Sequence, residues 1–119
     1  MTTICVLPGD GIGPEVVACA TRVLETVTDR IEFEYADIGR EAFEKAGSFL
    51  PPETLELMTE CDSCLFGAVT SVRGEHYDSP VLRFRKELDL HANIRPISDI
   101  AGIARHDVDL VIVRENSEG

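Results

Sequence analysis

Lysine is nearly missing from this chain, which carries 2 Lys and 9 Arg against 13 Glu and 9 Asp, a formal net charge of −11. So acidic a protein repels phosphate backbones and anionic headgroups, which excludes a nucleic-acid or anionic-membrane partner on bulk electrostatics. Acidity with so little lysine also resembles proteins from high-salt cytoplasms. No stretch approaches the roughly 20 apolar residues of a membrane span, and the opening MTTICVLPGDG has neither the basic segment nor the apolar run of a signal peptide. Together these absences predict a cytoplasmic protein. Its four cysteines then sit in a reducing compartment, where a disulfide framework is not expected. Cys61 and Cys64 form a C-x-x-C, but no second pair or nearby His completes a zinc spacing, and the pair opens an apolar run rather than a helix. Ordinary buried or half-buried thiols are favoured there over redox or metal work. Internal repeats, low-complexity tracts and linker composition are missing too, so residues 1–119 are taken as one piece with no internal boundary.

With 44% apolar side chains over 119 residues, the chain can bury one modest core. TICVL, residues 3–7, predicts a buried strand broken by Pro8, Gly9, Asp10 and Gly11, with Pro14 in the first turn of a helix. In that helix Val16, Val17, Ala20, Val23, Leu24 and Val27 follow the spacing of one buried face. Ile31, Phe33 and Tyr35 alternate with Glu32 and Glu34 as in a half-exposed strand. A short helix from about Arg40 to Ala46 ends at Gly47, and Pro51 and Pro52 start another that runs to about Glu60. CLFGAV, residues 64–69, predicts a strand emptying into a polar loop. Ser79 and Pro80 suit the N-cap and first turn of a helix carrying Val81, Leu82, Phe84 and Leu88. A strand near His91 to Ile97 and the run DLVIV, residues 109–113, complete the pattern, DLVIV being the most buried-looking strand of all. Strands separated by helices predict an α/β layered fold with a largely parallel sheet.

Three constellations could carry chemistry. In PGDGIGPEV, residues 8–16, closely spaced glycines after a strand let a backbone approach a ligand, and the following helix N-terminus offers N–H groups to an anion. The spacing is G-x-G-x-G rather than the G-x-G-x-x-G of a Rossmann domain, and Asp37 is the nearest candidate for its ribose-binding acid, so a tight turn explains the glycines equally well. Arg83, Arg85, Arg95 and Arg114 each adjoin apolar sequence. Arg95 is expected at the end of one strand and Arg114 just past another, where open α/β sheets hold their ligands. Convergent guanidinium groups would form a carboxylate pocket; surface pairs with Glu87, Asp89 or Glu115 are the plainer alternative. The acids Asp107, Asp109, Glu115 and Glu118 match no metal loop, and His76, His91 and His106 share no ligand spacing.

LPGDGIGPEV near the start, LRFRKELDLHANIRP in the middle and DLVIVRENSEG at the end, in that order, resemble the β-decarboxylating dehydrogenases that act on isopropylmalate, isocitrate and homoisocitrate. FGAVTS resembles that family's cofactor-side loop. The resemblance spans the whole chain and implies the family's layered fold, which is not a classical Rossmann domain. It also implies hydride transfer from a 2-hydroxyl carbon to NAD followed by loss of the β-carboxylate, with Mg²⁺ or Mn²⁺ as Lewis acid. Carried over by position, Arg85, Arg95 and Arg114 hold the substrate carboxylates, while Arg83 has no counterpart. Ser79 and Val81 face the substrate's variable group. Ile12, Thr70, Ser71 and Asp78 lie on the cofactor side, and the adenine loop lies beyond Gly119.

The family's catalytic Tyr and Lys and its metal-binding aspartates are likewise expected beyond Gly119, so this stretch holds no catalytic and no metal residue. Alone, it is expected to bind a small dicarboxylate without turnover, to expose apolar surface and to be poorly soluble. At full length a homodimer or larger assembly is implied. Val81 offers no hydrogen bond and favours an apolar substituent, hence 3-isopropylmalate and leucine synthesis. Isocitrate, homoisocitrate and tartrate remain alternatives, because Ser79 and R-E-N-x-E-G occur in those enzymes too. His91 departs from the usual aromatic there. A non-catalytic carboxylate-binding remnant is the alternative from another class.

Overall fold

A computed structural model describes residues 1–71, 73, 77–103 and 107–117. The chain divides into two compact units, Met1–Arg83 and Phe84–Gly119, although no linker composition marks the division.

The first unit is built on three strands, β1 (Thr2–Gly9), β2 (Ile31–Tyr35) and β3 (Ser63–Ala68), paired in parallel in the order β2-β1-β3. Helix α1 (Gly13–Val27) connects β1 to β2; α2 (Arg40–Ala46) and α3 (Pro52–Glu60) connect β2 to β3. Because β2 and β3 flank β1 on opposite sides, right-handed crossovers put α1 on one face of the sheet and α2 and α3 on the other. The central strand is sealed from both sides, and Cys5, Val6 and Leu7 have no exposed surface. Ile38, Ala42, Leu50 and Met58 complete the buried apolar set around them.

β1 is longer than TICVL implied and carries its pairing through Pro8 and Gly9, Gly9 being the partner of Ala68. Gly9 is required there. Its φ of +78° suits glycine, and a Cβ would run into the Ala68 carbonyl. Thr54, fully buried on α3, donates its hydroxyl to the Asp37 carbonyl at 2.8 Å, which fixes α3 against the end of β2. Helix α2 ends as the sequence suggests, on Gly47 in the left-handed region with φ +72°.

The expected inner face of α1 needs correction. Val17 is buried, whereas Val16, Val23 and Val27 are exposed, Val27 by 76%. The stripe of apolar residues is wide enough to offer two faces. The helix uses the line Gly13, Val17 and Thr21, where two glycines allow close approach: a Cβ on Gly67 would meet Val17 and Gly13.

In the second unit, β4 (Ala92–Ser98) and β5 (Asp109–Glu115) form an antiparallel ribbon in full register, from Ala92 opposite Glu115 to Ser98 opposite Asp109. This pair stands outside the parallel sheet. DLVIV was expected to be the most buried strand, yet every residue of β5 is exposed. The reason is topological: β5 pairs with β4 alone, and among the described residues no layer covers the side chains of either ribbon face. Helix α4 (Pro80–Glu87) starts as expected on Ser79, whose carbonyl accepts from the Arg83 N–H at 3.1 Å and whose hydroxyl lies 3.5 Å from the Leu82 N–H.

Candidate functional site

In a parallel sheet whose neighbouring strands are reached by crossovers on opposite faces, the loops leaving those strands part and open a crevice. Here that switch point falls between β1 and β3. The Gly9–Gly13 turn leaves β1 on one side, and Val69, Thr70 and Ser71 leave β3 on the other.

Asp10 joins the two sides. It is 6% exposed. One carboxylate oxygen accepts from the Thr70 N–H at 2.6 Å, the other from the Arg40 N–H at 2.7 Å at the start of α2. Its own N–H donates to the Ala68 carbonyl at 2.9 Å, and its carbonyl accepts from the Gly13 N–H at 3.0 Å. Burial pushes this carboxyl's pKa up, but the hydrogen bonds from Arg40 and Thr70 and the Arg40 charge outweigh it, leaving the group below the usual carboxylate range. A single anion therefore anchors the glycine turn, the exit of β3 and the first N–H of α2. Sequence reasoning missed Asp10. The available signal was a carboxylate between glycines directly after a buried strand, where helix N-termini gather.

Ile12 stands at the N-cap of α1 with its side chain 58% exposed. Thr70 and Ser71 are exposed where the chain leaves β3. Asp78 instead lines a cavity of about 180 Å³ with Phe43, Ser48, Phe49, Leu50 and Arg83. Beside it Tyr77 meets the Phe49 ring edge-on at 5.1 Å, and Phe49 stacks on Phe43 at 4.5 Å. Burial, then the negative charges of Asp10 and Asp78, raises the Tyr77 phenol above its ordinary range.

The arginines belong elsewhere in the chain, and their placement differs from the expectation of strand ends. Arg95 lies in the middle of β4 and Arg114 inside β5, because both strands continue beyond the apolar stretches that announce them. In the antiparallel register Asn93 is opposite Arg114 and Arg95 is opposite Ile112. Directly opposed residues share a face, and residues two apart along a strand share it too. Asn93, Arg95, Ile112 and Arg114 therefore stand on one face of the ribbon, the two guanidinium-bearing positions being diagonal neighbours. Arg95 Nε also donates to Asn93 Oδ1 at 3.1 Å.

Arg85 sits on α4, one turn after Val81, so the two share a helix face. With Lys86, Asp89 and Ser117 it lines an open cavity of about 560 Å³, which brings it to the chain just past β5. The connection is made by a tight turn in which Asp89 has φ +52° and the Leu90 N–H donates to the Arg85 carbonyl at 2.8 Å. Asn116 N–H then donates to the His91 carbonyl at 2.9 Å. His91 itself is exposed, 3.7 Å from the Asp89 carboxylate. His76, His106 and Glu118 lie outside the described residues. Among the described residues no group of three or more His, Cys, Asp or Glu could hold a metal. No helix among them is long and apolar enough to cross a membrane.

A doubly wound parallel sheet with a glycine turn at its switch point, and an antiparallel ribbon that carries two arginines on one face, define an α/β protein. Residues 3–119 match the family model described as isocitrate/isopropylmalate dehydrogenase, and the chain belongs to that family. It is 46% identical over 121 residues to the 3-isopropylmalate/3-methylmalate dehydrogenase of Methanocaldococcus jannaschii, covering 100% of this chain and 35% of that one. To the isocitrate/homoisocitrate dehydrogenase of Thermus thermophilus it is 45% identical over 120 residues, covering 98% and 36%. Among solved structures, a β-decarboxylating dehydrogenase from Thermococcus kodakarensis in its apo form superposes with a TM-score of 0.84 at 48% identity, over 100% of this chain and 35% of that one. An isocitrate dehydrogenase from Methylococcus capsulatus gives 0.86 at 39% identity, over 100% and 36%. The chain thus spans about a third of the length of the relatives it matches.

Proposed function

We propose that this chain supplies the substrate-carboxylate side and the nicotinamide side of an NAD-dependent dehydrogenase that oxidises and decarboxylates a 2-hydroxy dicarboxylic acid, 3-isopropylmalate in leucine biosynthesis first among them. The observation that carries this reading is the shared ribbon face of Arg95 and Arg114, with Asn93 between strand neighbours. Two guanidinium forks a diagonal apart can hold two carboxylates of one small molecule bidentately. The net charge of −11 is no obstacle, because distant surface acids are screened over about 10 Å while the arginines act at contact.

Arg85 adds a third cation on α4. Val81, one turn earlier, presents an apolar side chain with no hydrogen bond to offer a third carboxylate, and Ser79, the N-cap, has its hydroxyl turned toward the Leu82 N–H. That pairing suits an isopropyl substituent better than the extra carboxylate of isocitrate or homoisocitrate.

The residues at the sheet's switch point fit a nicotinamide nucleotide. Ile12 offers an exposed apolar edge, Thr70 and Ser71 offer hydroxyls on the facing lip, and Asp78 stands after them in the same segment. When bound, the nucleotide supplies the hydride acceptor. This chain's own residues hold the lip in shape through Asp10 and orient the dicarboxylate through the arginines. The Mg²⁺ or Mn²⁺ ion would act as Lewis acid, and in this reading its ligands, like the catalytic Tyr and Lys, belong to the two thirds of the relatives' length that this chain does not span. A cytoplasmic homodimer is part of the same proposal.

The test is NAD reduction by the complete protein carrying this chain, with 3-isopropylmalate, isocitrate, homoisocitrate and tartrate compared at equal concentration. The highest kcat/KM should belong to 3-isopropylmalate. A preference for isocitrate or homoisocitrate would refute the role given to Val81, and inactivity on all four would favour a non-catalytic carboxylate-binding protein.

A further inference from the structure

Three of the four cysteines gather at one place in the parallel sheet. Cys5 of β1 is the register partner of Cys64 of β3. Adjacent strands run about 4.8 Å apart, which lies inside the roughly 4.4–6.8 Å between Cα atoms that a disulfide can span. Direct partners also share a sheet face. Cys5 has no exposed surface, whereas Cys64 is an exposed residue whose part-buried Sγ lies 3.9 Å from the Met58 carbonyl oxygen on α3. Cys61 stands nearby, partly covered, in the turn before β3.

The three thiols are not equivalent. The hydrogen bond from Cys5 outweighs burial and brings Cys64 down to about 7. Cys5 is raised by that same hydrogen bond, then by burial and by the charges of Cys64, Cys61 and Glu34, its register partner on β2. Burial raises Cys61, followed by the charges of Glu34, Cys64, Glu60 and Asp62. Of the three, Cys64 is the exposed residue and the one whose thiolate is favoured.

We propose that Cys64 and Cys5 form a reversible thiol–disulfide site, with Cys64 as the attacking thiol, Cys5 as the resolving thiol and a low-molecular-weight disulfide as the oxidant. The Cys64 thiolate attacks one sulfur of that disulfide, forming a mixed disulfide and expelling one small thiolate. Capping Cys64 removes both the hydrogen bond and the negative charge by which it raises Cys5, while burial and the charges of Cys61 and Glu34 remain. Cys5 then gives its proton to the expelled thiolate and attacks the Cys64 sulfur, displacing the second small thiolate. Two protein thiols are oxidised, and one small disulfide is reduced to two thiols. The new bond would link β1 to β3 a few residues before the Gly9–Gly13 turn and Thr70, the two lips of the crevice.

The probe is glutathione disulfide added to the purified protein, followed by alkylation of remaining thiols and peptide mapping. The expected result is loss of two alkylatable thiols with a Cys5–Cys64 linked peptide, reversed by dithiothreitol and retained in Cys61→Ser. The Cys61→Ser variant alters only a partly covered thiol, so its folding is not at stake. A Cys61–Cys64 linkage, glutathione left on Cys64 without resolution, or four thiols still alkylatable when the treated protein is denatured would each overturn the proposal.

Discussion

Asp10 and Thr70, 60 positions apart in sequence, are joined by a 2.6 Å hydrogen bond from the Thr70 backbone N–H to a buried carboxylate oxygen. The other oxygen serves Arg40 in the same way. An amide in place of the carboxylate keeps one acceptor and loses the charge. Asp10→Asn should therefore lower stability by about 2–3 kcal/mol, as expected for a buried charged acceptor left half-matched. The midpoint of urea unfolding measures this, and an unchanged midpoint would remove Asp10 from its anchoring role.

The same carboxylate gives a pH dependence of known sign. Its folded pKa lies below the ordinary value of 3.8, so its contribution is complete above that value and is lost as pH falls through the folded pKa. Between pH 5 and 2 the wild-type midpoint should fall more steeply than that of Asp10→Asn. Parallel curves would show that Asp10 is not the linked group.

Two glycines with positive φ separate strain from collision. Gly47 has φ +72° and nothing within 4 Å of an added Cβ among the described residues, so Gly47→Ala should cost about 1 kcal/mol of backbone strain. Gly9→Ala would drive a Cβ into the Ala68 carbonyl and should prevent folding. Circular dichroism melts of the two variants make the comparison; similar melts would contradict the close approach of β1 and β3.

On α3, Thr54→Val removes the buried hydroxyl that holds the Asp37 carbonyl, at about 1 kcal/mol for a net hydrogen bond. Lys45→Met breaks the exposed Lys45–Asp37 pair and should leave the unfolding midpoint unchanged within error. Equal effects would mean that the buried hydroxyl is not what fixes α3.

Much of the fold was legible because periodicity is a local signal. The ends of α2 and α3 follow from Gly47 and Pro52, and the three parallel strands from short apolar runs between breakers. What failed depended on partners remote in sequence. Val16, Val23 and Val27 are as apolar as Val17, and only the glycines at 13 and 67 decide which line of α1 meets the sheet. DLVIV carries the composition of a central strand, but a strand is buried by its layers, and β5 has β4 as its ribbon partner. Arg95 and Arg114 were singled out by sequence, yet their common face follows from an antiparallel register that composition does not encode. Asp10 has no periodic neighbour, and its partners lie 30 and 60 residues away.

The arginine face is the centre of this account, and Arg95→Gln tests it most directly. In the complete protein carrying this chain, kcat/KM for 3-isopropylmalate should fall about 100-fold, the loss of one charge-assisted bidentate contact, while KM for NAD stays within about twofold. A variant that keeps its dicarboxylate kcat/KM within threefold of wild type, or that loses NAD and dicarboxylate binding equally, would contradict the assignment.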